Sequence, residues 1–163
     1  MLIVITKDES IIQWARTAAS GATAWNRLAP LGSISQRAAN RQLTDYLSQV
    51  GAEEPLCITG HGNDKEVGDE GDNARDWTWT HRELAELLGL GLPVDYRGPI
   101  LMEVCANTVT DFAAHLVVSL EKLRKLNGVW IYGYNKSVSV RHKFPAPPAL
   151  KGNLELWAKQ VCY

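Results

Sequence analysis

His61 and Cys105 are the two residues whose types and positions indicate chemistry. His61 stands between two glycines, directly after an apolar run that begins at Leu56, and Cys105 follows a second apolar run. A free thiol has a pKa of about 8.5 and is mostly unreactive at neutral pH. An adjacent imidazole can take its proton and leave a nucleophilic thiolate. The pair therefore predicts nucleophilic catalysis if the fold brings the two side chains together.

The glycines that flank His61 fit the same interpretation. Without a Cβ, Gly60 and Gly62 allow a sharp turn of the backbone and a close approach by a substrate. The N–H of Gly62, together with that of Cys105, could form an oxyanion hole for an attacked carbonyl. The alternative is structural: a cysteine after an apolar strand is usually a small buried hydrophobe, and Gly-His-Gly occurs in many loops.

Buried strands alternate with helices along the chain, and this order predicts how the two residues are positioned. Strands are expected at Leu2 to Ile5, Leu56 to Thr59, Ile100 to Val104 and in VWIYGY, with helices between them. Such an order predicts an α/β fold with a mostly parallel sheet that is flanked by helices on both faces. In parallel sheets, ligands bind at the edge formed by the carboxyl ends of the strands. His61 and Cys105 each follow the carboxyl end of an expected strand, so both are expected at this edge.

Other segments carry weaker signals. Thr80 and Glu83 form a capping box that predicts a helix from His81 to Gly89. Residues 64–76 are acidic and rich in glycine and predict a mobile surface loop. The alternating stretch SVSVRHKF predicts an edge strand, PAPP a stiff linker, and NLELWAKQVCY a terminal helix. Cys57, inside a strand, and Trp77 and Trp79 are expected in the core.

Bulk composition narrows the classes of function. The chain has 163 residues and a net charge of −1, which predicts one domain over 1–163, with a core over 1–144 and a linker and C-terminal segment over 145–163. A net charge this close to zero does not indicate binding to nucleic acid, and the longest apolar runs are too short for a membrane span. Three cysteines without CxxC spacing favour a reducing compartment, with no metal or other cofactor. We expect a cytoplasmic protein, or one that is delivered or secreted without a classical signal peptide.

Three stretches resemble the caspase-like (clan CD) cysteine peptidases, nearest in pattern to the self-processing protease domains of large toxins. They are CITGHG (57–62), WTWTHRELAELL (77–88) and ILMEVCANT (100–108), and GVWIYGYNKSVSVRHKF (128–144) resembles the strand and hairpin of the toxin domains. Cys105 follows His61 by 44 positions, similar to caspases and the toxin domains. The resemblance implies a caspase-like three-layer sandwich and a cysteine endopeptidase, in a bacterial effector, a toxin or a regulated intracellular protease.

By this resemblance, Cys105 is the nucleophile, His61 the general base, and Gly62 an oxyanion donor. Asp8 is the one candidate for the acidic residue that orients the histidine in the toxin domains, and with Ser137 and Ser139 it is assigned to the substrate-binding edge. Val104 departs from the family, which has alanine or glycine before the cysteine. The alternative is therefore a catalytically inactive interaction module with the same fold.

The expected partner is a protein or peptide substrate. If the acidic loop 64–76 borders the cleft, it would favour a basic residue before the scissile bond, although a solvated loop explains its composition as well. The toxin domains bind an inositol polyphosphate through basic residues, so an anionic activator or a partner protein is a further expectation. The basic residues in question are Lys122, Arg124, Lys125, Lys136, Arg141 and Lys143.

Overall fold

The computed structural model describes residues 1–32, 35–69, 75–104, 111–134, 136, 138–139 and 141–163. The strands are β1 (Leu2–Val4), β2 (Leu28–Pro30), β3 (Leu56–Gly62), β4 (Glu66–Gly68), β5 (Thr78–Thr80), β6 (Ile100–Val104), β7 (Trp130–Tyr134) and β8 (Leu156–Gln160). The helices are α1 (Glu9–Arg16), α2 (Gln36–Leu47), α3 (His81–Gly91) and α4 (Asp111–Leu123).

The main sheet has the strand order β2-β1-β3-β6-β7-β8. The first five of these strands run parallel, and β8 pairs antiparallel with β7 at the edge. The short strands β4 and β5 pair with each other, and β4 extends the end of β3. The prediction of an α/β fold with a mostly parallel sheet is confirmed.

Helices cover both faces of this sheet because its strands are apolar on both sides. On one face, Leu2, Val4 and Leu101 pack against Ile11 and Ile12 of α1. On the other face, the sheet packs against α2, α3 and α4 in a larger core. This arrangement is a three-layer α/β sandwich, in which α1 alone of the four helices lies on the first face, and it confirms the expectation of helices on both faces.

Side-chain caps fix where the helices begin. Asp8 accepts a hydrogen bond from the Ser10 N–H at 2.7 Å and so begins α1, and Ser35 begins α2 in the same way. The capping box of Thr80 and Glu83 is present and begins α3 at His81, as predicted. Such a cap stabilises a helix by about 1 kcal/mol.

Two predictions for the last third of the chain are wrong. The described residues among 137–144 form no strand: Val138 and Phe144 instead pack into the α1 face of the core. The C-terminal stretch forms β8 rather than a helix, because hydrogen bonds along β7 fix it in an extended conformation. The segment after the PAPP linker therefore adds a strand to the sheet.

The acidic stretch after His61 is more ordered than predicted over residues 64–69, whereas residues 70–74 lie outside the described residues. Residues Glu66–Gly68 form β4, and the next residue, Asp69, is only 5% exposed. The Asp69 carboxylate accepts hydrogen bonds from the Lys7 N–H at 2.8 Å and the Trp77 N–H at 3.2 Å, and it pairs with the Lys7 ammonium at 3.1 Å. These partners lie far apart in sequence, which is why composition alone predicted a mobile loop.

Candidate active site

His61 lies within β3, two residues beyond the expected end of that strand. The strand continues through Gly62, and His61 pairs with Gly68 of β4. The interpretation of Gly60 as a turn residue is therefore wrong. A Cβ at Gly60 would lie 2.9 Å from a side-chain carbon of Ile5 and 3.3 Å from the Gly68 carbonyl oxygen, so glycine is needed there for close packing.

Asp8 contacts the imidazole of His61. Its Oδ2 lies 2.7 Å from His61 Nε2, while its other oxygen caps α1 through the Ser10 N–H. The His61 and Asp8 side chains are 14% and 28% exposed, respectively, so the pair is partly shielded from water. The helix cap holds the carboxylate in place, and the carboxylate in turn fixes the orientation of the ring.

The electrostatics of the pair favour an ionised Asp8. Burial alone would raise the pKa of Asp8, but the hydrogen bonds from Ser10 and His61 outweigh it and lower that pKa below its ordinary value. An ionised carboxylate can only accept a hydrogen bond. Asp8 therefore favours a proton on Nε2 of His61 and leaves Nδ1 as the nitrogen that can act as a base.

The neighbouring strand β6 ends where the sequence predicted, at Val104. In the parallel register of β3 and β6, Gly60 lies opposite Val104, which is the last residue of β6 that the structure describes. Val104 is buried in the core under α2, α3 and α4, whereas Asp8 caps the helix on the opposite face. Cys105 and Ser137 lie outside the described residues.

The backbone of Gly62 faces the β6 side of β3. Hydrogen-bonding groups alternate sides along a strand: the Leu56 N–H bonds Pro99 before β6, whereas the Cys57 N–H bonds Met1 beside β1. The Asn63 N–H continues the second set by bonding Glu66 beside β4. Counting from Leu56, the N–H of Gly62 belongs to the first set and is directed toward the side of β3 on which β6 lies.

A small polar cavity of about 130 Å³ borders His61. Its lining includes Gly62, Asn63, Glu66, Asp69 and Thr78. Sequence reasoning did not assign the last four of these residues to the site. A signal was present for Glu66 and Asp69, because they belong to the acidic stretch for which a position beside the cleft was considered.

The structure also describes one predicted substrate-binding residue, Ser139, and several of the basic residues. Ser139 is exposed, and its carbonyl oxygen accepts a hydrogen bond from the His142 N–H at 2.9 Å. The basic residues are divided between the two faces of the sheet: Lys122 belongs to α4 on one face, whereas Arg141 and Lys143 belong to the segment that packs beside α1. Lys136 pairs with Glu155 at 2.5 Å.

A second, larger cavity of about 740 Å³ lies toward the amino ends of β6 and β7, on the sheet edge opposite His61. Pro99, Trp130, Tyr132 and Leu156 line it, with Arg97 and Lys151 as its charged lining residues. It is mostly apolar and contains no residue that the sequence singled out for chemistry.

Comparison of the chain with protein-family models and with curated proteins found no match. Within the described ranges, no group of three or more His, Cys, Asp or Glu side chains could hold a metal ion. In the same part of the chain, no helix is both long enough and apolar enough to cross a membrane.

Proposed function

We propose that the protein is a cysteine endopeptidase in which Cys105 and His61 form the catalytic dyad. The Cys105 thiolate attacks a peptide carbonyl and forms a tetrahedral oxyanion, and the imidazolium of His61 gives its proton to the departing amine. Water, deprotonated by His61, then attacks the thioester and releases the acid and the thiol. The chemistry needs no metal or other cofactor, and the substrate is a protein or peptide.

One observation carries this proposal: the Asp8–His61 hydrogen bond of 2.7 Å at the carboxyl edge of the parallel sheet. A histidine without a role in chemistry does not need its ring oriented by a carboxylate, whereas Asp8, fixed as the cap of α1, orients the ring of His61. The carboxylate leaves Nδ1 as the basic nitrogen, as a general base requires. Asp8 thus takes the part of the orienting acid expected from the toxin domains.

The strand pairing supports Cys105 as the partner. Among the described residues, Gly60 and Val104 are the last pair in the register of β3 and β6, and they directly precede His61 and Cys105 in the sequence. Adjacent strands lie about 4.8 Å apart, which is within the reach of two neighbouring side chains. Val104 is larger than the alanine or glycine that the family has at this position. Its side chain nevertheless packs into the core under α2, α3 and α4, on the face of the sheet opposite to Asp8.

Gly62 supports the same mechanism. Its N–H is directed to the β6 side of β3, which is the side from which Cys105 would attack. A backbone N–H aimed at the developing oxyanion typically contributes about 3 kcal/mol to transition-state stabilisation.

The experiment compares wild type, Cys105→Ala and Cys162→Ala on a peptide library, with alkylation by iodoacetamide at pH 7. We expect Cys105→Ala to abolish cleavage and exposed Cys162→Ala to leave it unchanged. Cys105 should be alkylated much faster than Cys57, because burial raises the pKa of the Cys57 thiol. Cleavage by Cys105→Ala, or equally slow alkylation of the two thiols, would refute the mechanism. A biological activity that survives Cys105→Ala would instead favour the inactive interaction module.

A further inference from the structure

Three side chains form a buried polar cluster at the carboxyl ends of β6 and β7, beside the candidate site. The hydroxyl of Tyr134 donates to Glu103 Oε2 at 2.6 Å, and His142 Nδ1 lies 3.2 Å from Glu103 Oε1 and 3.2 Å from the Tyr134 oxygen. The Glu103 side chain is only 3% exposed and that of His142 is 28% exposed. Because the Tyr134 proton is donated to Glu103, His142 Nδ1 must carry a proton to bond either oxygen.

The surroundings of His142 explain why a positive charge is favoured there. The hydrogen bond with Glu103 raises the pKa of His142 above its ordinary value, and burial opposes that shift without overcoming it. The charge of Glu155 also raises the pKa of His142, but by less. The charge of Lys136, which pairs with Glu155, lowers that pKa slightly. On the neighbouring strands, burial and the Glu103 charge raise the pKa values of both Tyr134 and Cys57, which therefore stay protonated and neutral.

The cluster joins a segment without regular structure to the rigid sheet. Glu103 lies opposite Thr59 of β3 and two residues before Cys105. The His142 carbonyl accepts a hydrogen bond from the Trp14 indole of α1 at 2.9 Å, and the His142 N–H closes a turn onto Ser139. The imidazole is thus a side-chain link between the turn at 139–142 and the end of β6.

We propose that Glu103, Tyr134 and His142 form a charge-dependent latch that holds the turn at 139–142 against the end of β6. With His142 protonated, the buried carboxylate has both a neutral donor and a positive partner. Release of the other imidazole proton, from Nε2, leaves Nδ1–H as a neutral donor, so the buried carboxylate loses its positive partner, which is costly in a low-dielectric site. The turn is then held less firmly, while Tyr134 remains bonded to Glu103.

The direction of the pH dependence follows from the raised pKa of His142. A group whose folded pKa is raised stabilises the folded form fully below its ordinary pKa, about 6.5 for histidine. That stabilisation is lost as the pH rises through the raised value. The latch is therefore closed below the ordinary pKa of histidine and opens as the pH rises through the raised pKa of His142.

Amide hydrogen exchange over residues 138–144 tests the latch without any measurement of activity. Protection factors, corrected for the intrinsic effect of pH on exchange, should fall on the alkaline side of the His142 titration in wild type, because the folded form then loses the charge on the imidazole. The midpoint of this fall should coincide with the imidazole titration of His142 followed by NMR. Protection that does not change with pH, or midpoints that differ, would overturn the proposal.

Two variants separate the charge from the hydrogen bonds. Glu103→Gln keeps the size of the side chain but removes its charge, so the turn should exchange faster at low pH and lose its pH dependence. Tyr134→Phe keeps the Glu103–His142 pair and should retain the pH dependence. A retained pH dependence in Glu103→Gln would also overturn the proposal. Any effect of the latch on catalysis rests on the proposed function, but these exchange measurements do not, so the two proposals can fail separately.

Discussion

At the scale of single residues, Asp8 has two separable tasks. One carboxylate oxygen caps α1, and the other contacts His61. A side chain that is needed for helix stability is thereby placed at the sheet edge and orients the imidazole. A measurement of stability alone therefore cannot identify the role of Asp8, because a substitution that removes both oxygens changes the helix and the site together.

Asp8→Asn separates the two tasks. Asparagine caps helices about as well as aspartate, so the free energy of unfolding should change by less than about 0.5 kcal/mol. Its amide can donate to Nε2, which would place the imidazole proton on Nδ1, the wrong nitrogen for a base. For the proposed peptidase we expect kcat/KM to fall by about 10²- to 10⁴-fold. Asp8→Ala should lose the same activity and a further 1 kcal/mol or so of stability. Unchanged kcat/KM in Asp8→Asn would limit Asp8 to capping.

At the scale of elements, sequence patterns correctly predicted those helices and strands that are determined by interactions between residues close together in the sequence. The capping box located the start of α3, and the apolar run Ile100–Val104 matched β6 because that strand is buried on both faces. The carboxyl-edge rule predicted His61 and Cys105 at the same edge, whereas Asp8, which contacts His61, was named from the family resemblance. The 2.7 Å bond itself could not be predicted, because it depends on how α1 is placed after β1.

The elements that were missed depend on distant partners. The strand β4 has only three residues, and it exists because β3 and β5 pair with its two edges. In and beside β8, the apolar residues Leu154, Trp157 and Val161 have helical spacing in the sequence, but the pairing of β8 with β7 prevails. In the 138–144 segment, the alternation of Val138 and Val140 suggested a strand, whereas burial of Val138 and Phe144 beside α1 determines its path.

Asp69 is the residue through which the acidic stretch is fixed to the core. Asp69→Ala would leave the buried N–H of Trp77 and the hydroxyl of Thr6 without their acceptor, and it would remove one carboxylate from the Lys7 ammonium. We expect a loss of about 3 kcal/mol in the free energy of unfolding, measured by urea denaturation. The control is Glu86→Ala, which removes an exposed pair with Arg82 and should cost less than about 0.5 kcal/mol. Equal effects would show that the stretch is not anchored by Asp69.

At the scale of the whole molecule, the two edges of the sheet have different tasks. The carboxyl edge holds the partly exposed pair of His61 and Asp8 and the buried cluster around Glu103. At the opposite edge, Glu54 joins separate loops: it accepts hydrogen bonds from the Gly51 N–H and the Asn26 amide, each at 3.0 Å. The carbonyl oxygen of Glu54 also accepts a hydrogen bond from the buried Tyr96 hydroxyl at 2.8 Å. Glu54 is thus a structural carboxylate at the edge away from the candidate site.

The pH dependence of unfolding should show this division. Burial would raise the pKa of Glu54, but hydrogen bonds from Gly51 and Asn26 outweigh it and lower that pKa from 4.5 to about 2. Because the folded pKa is depressed, the contribution of Glu54 is complete above the ordinary value and is lost as the pH falls toward the folded one. Urea midpoints measured between about pH 5 and about pH 3 should therefore fall in wild type and fall less steeply in Glu54→Gln. The exposed neighbour provides the control: Glu53→Gln should follow the wild-type slope. If Glu54→Gln also keeps that slope, other carboxylates govern acid unfolding.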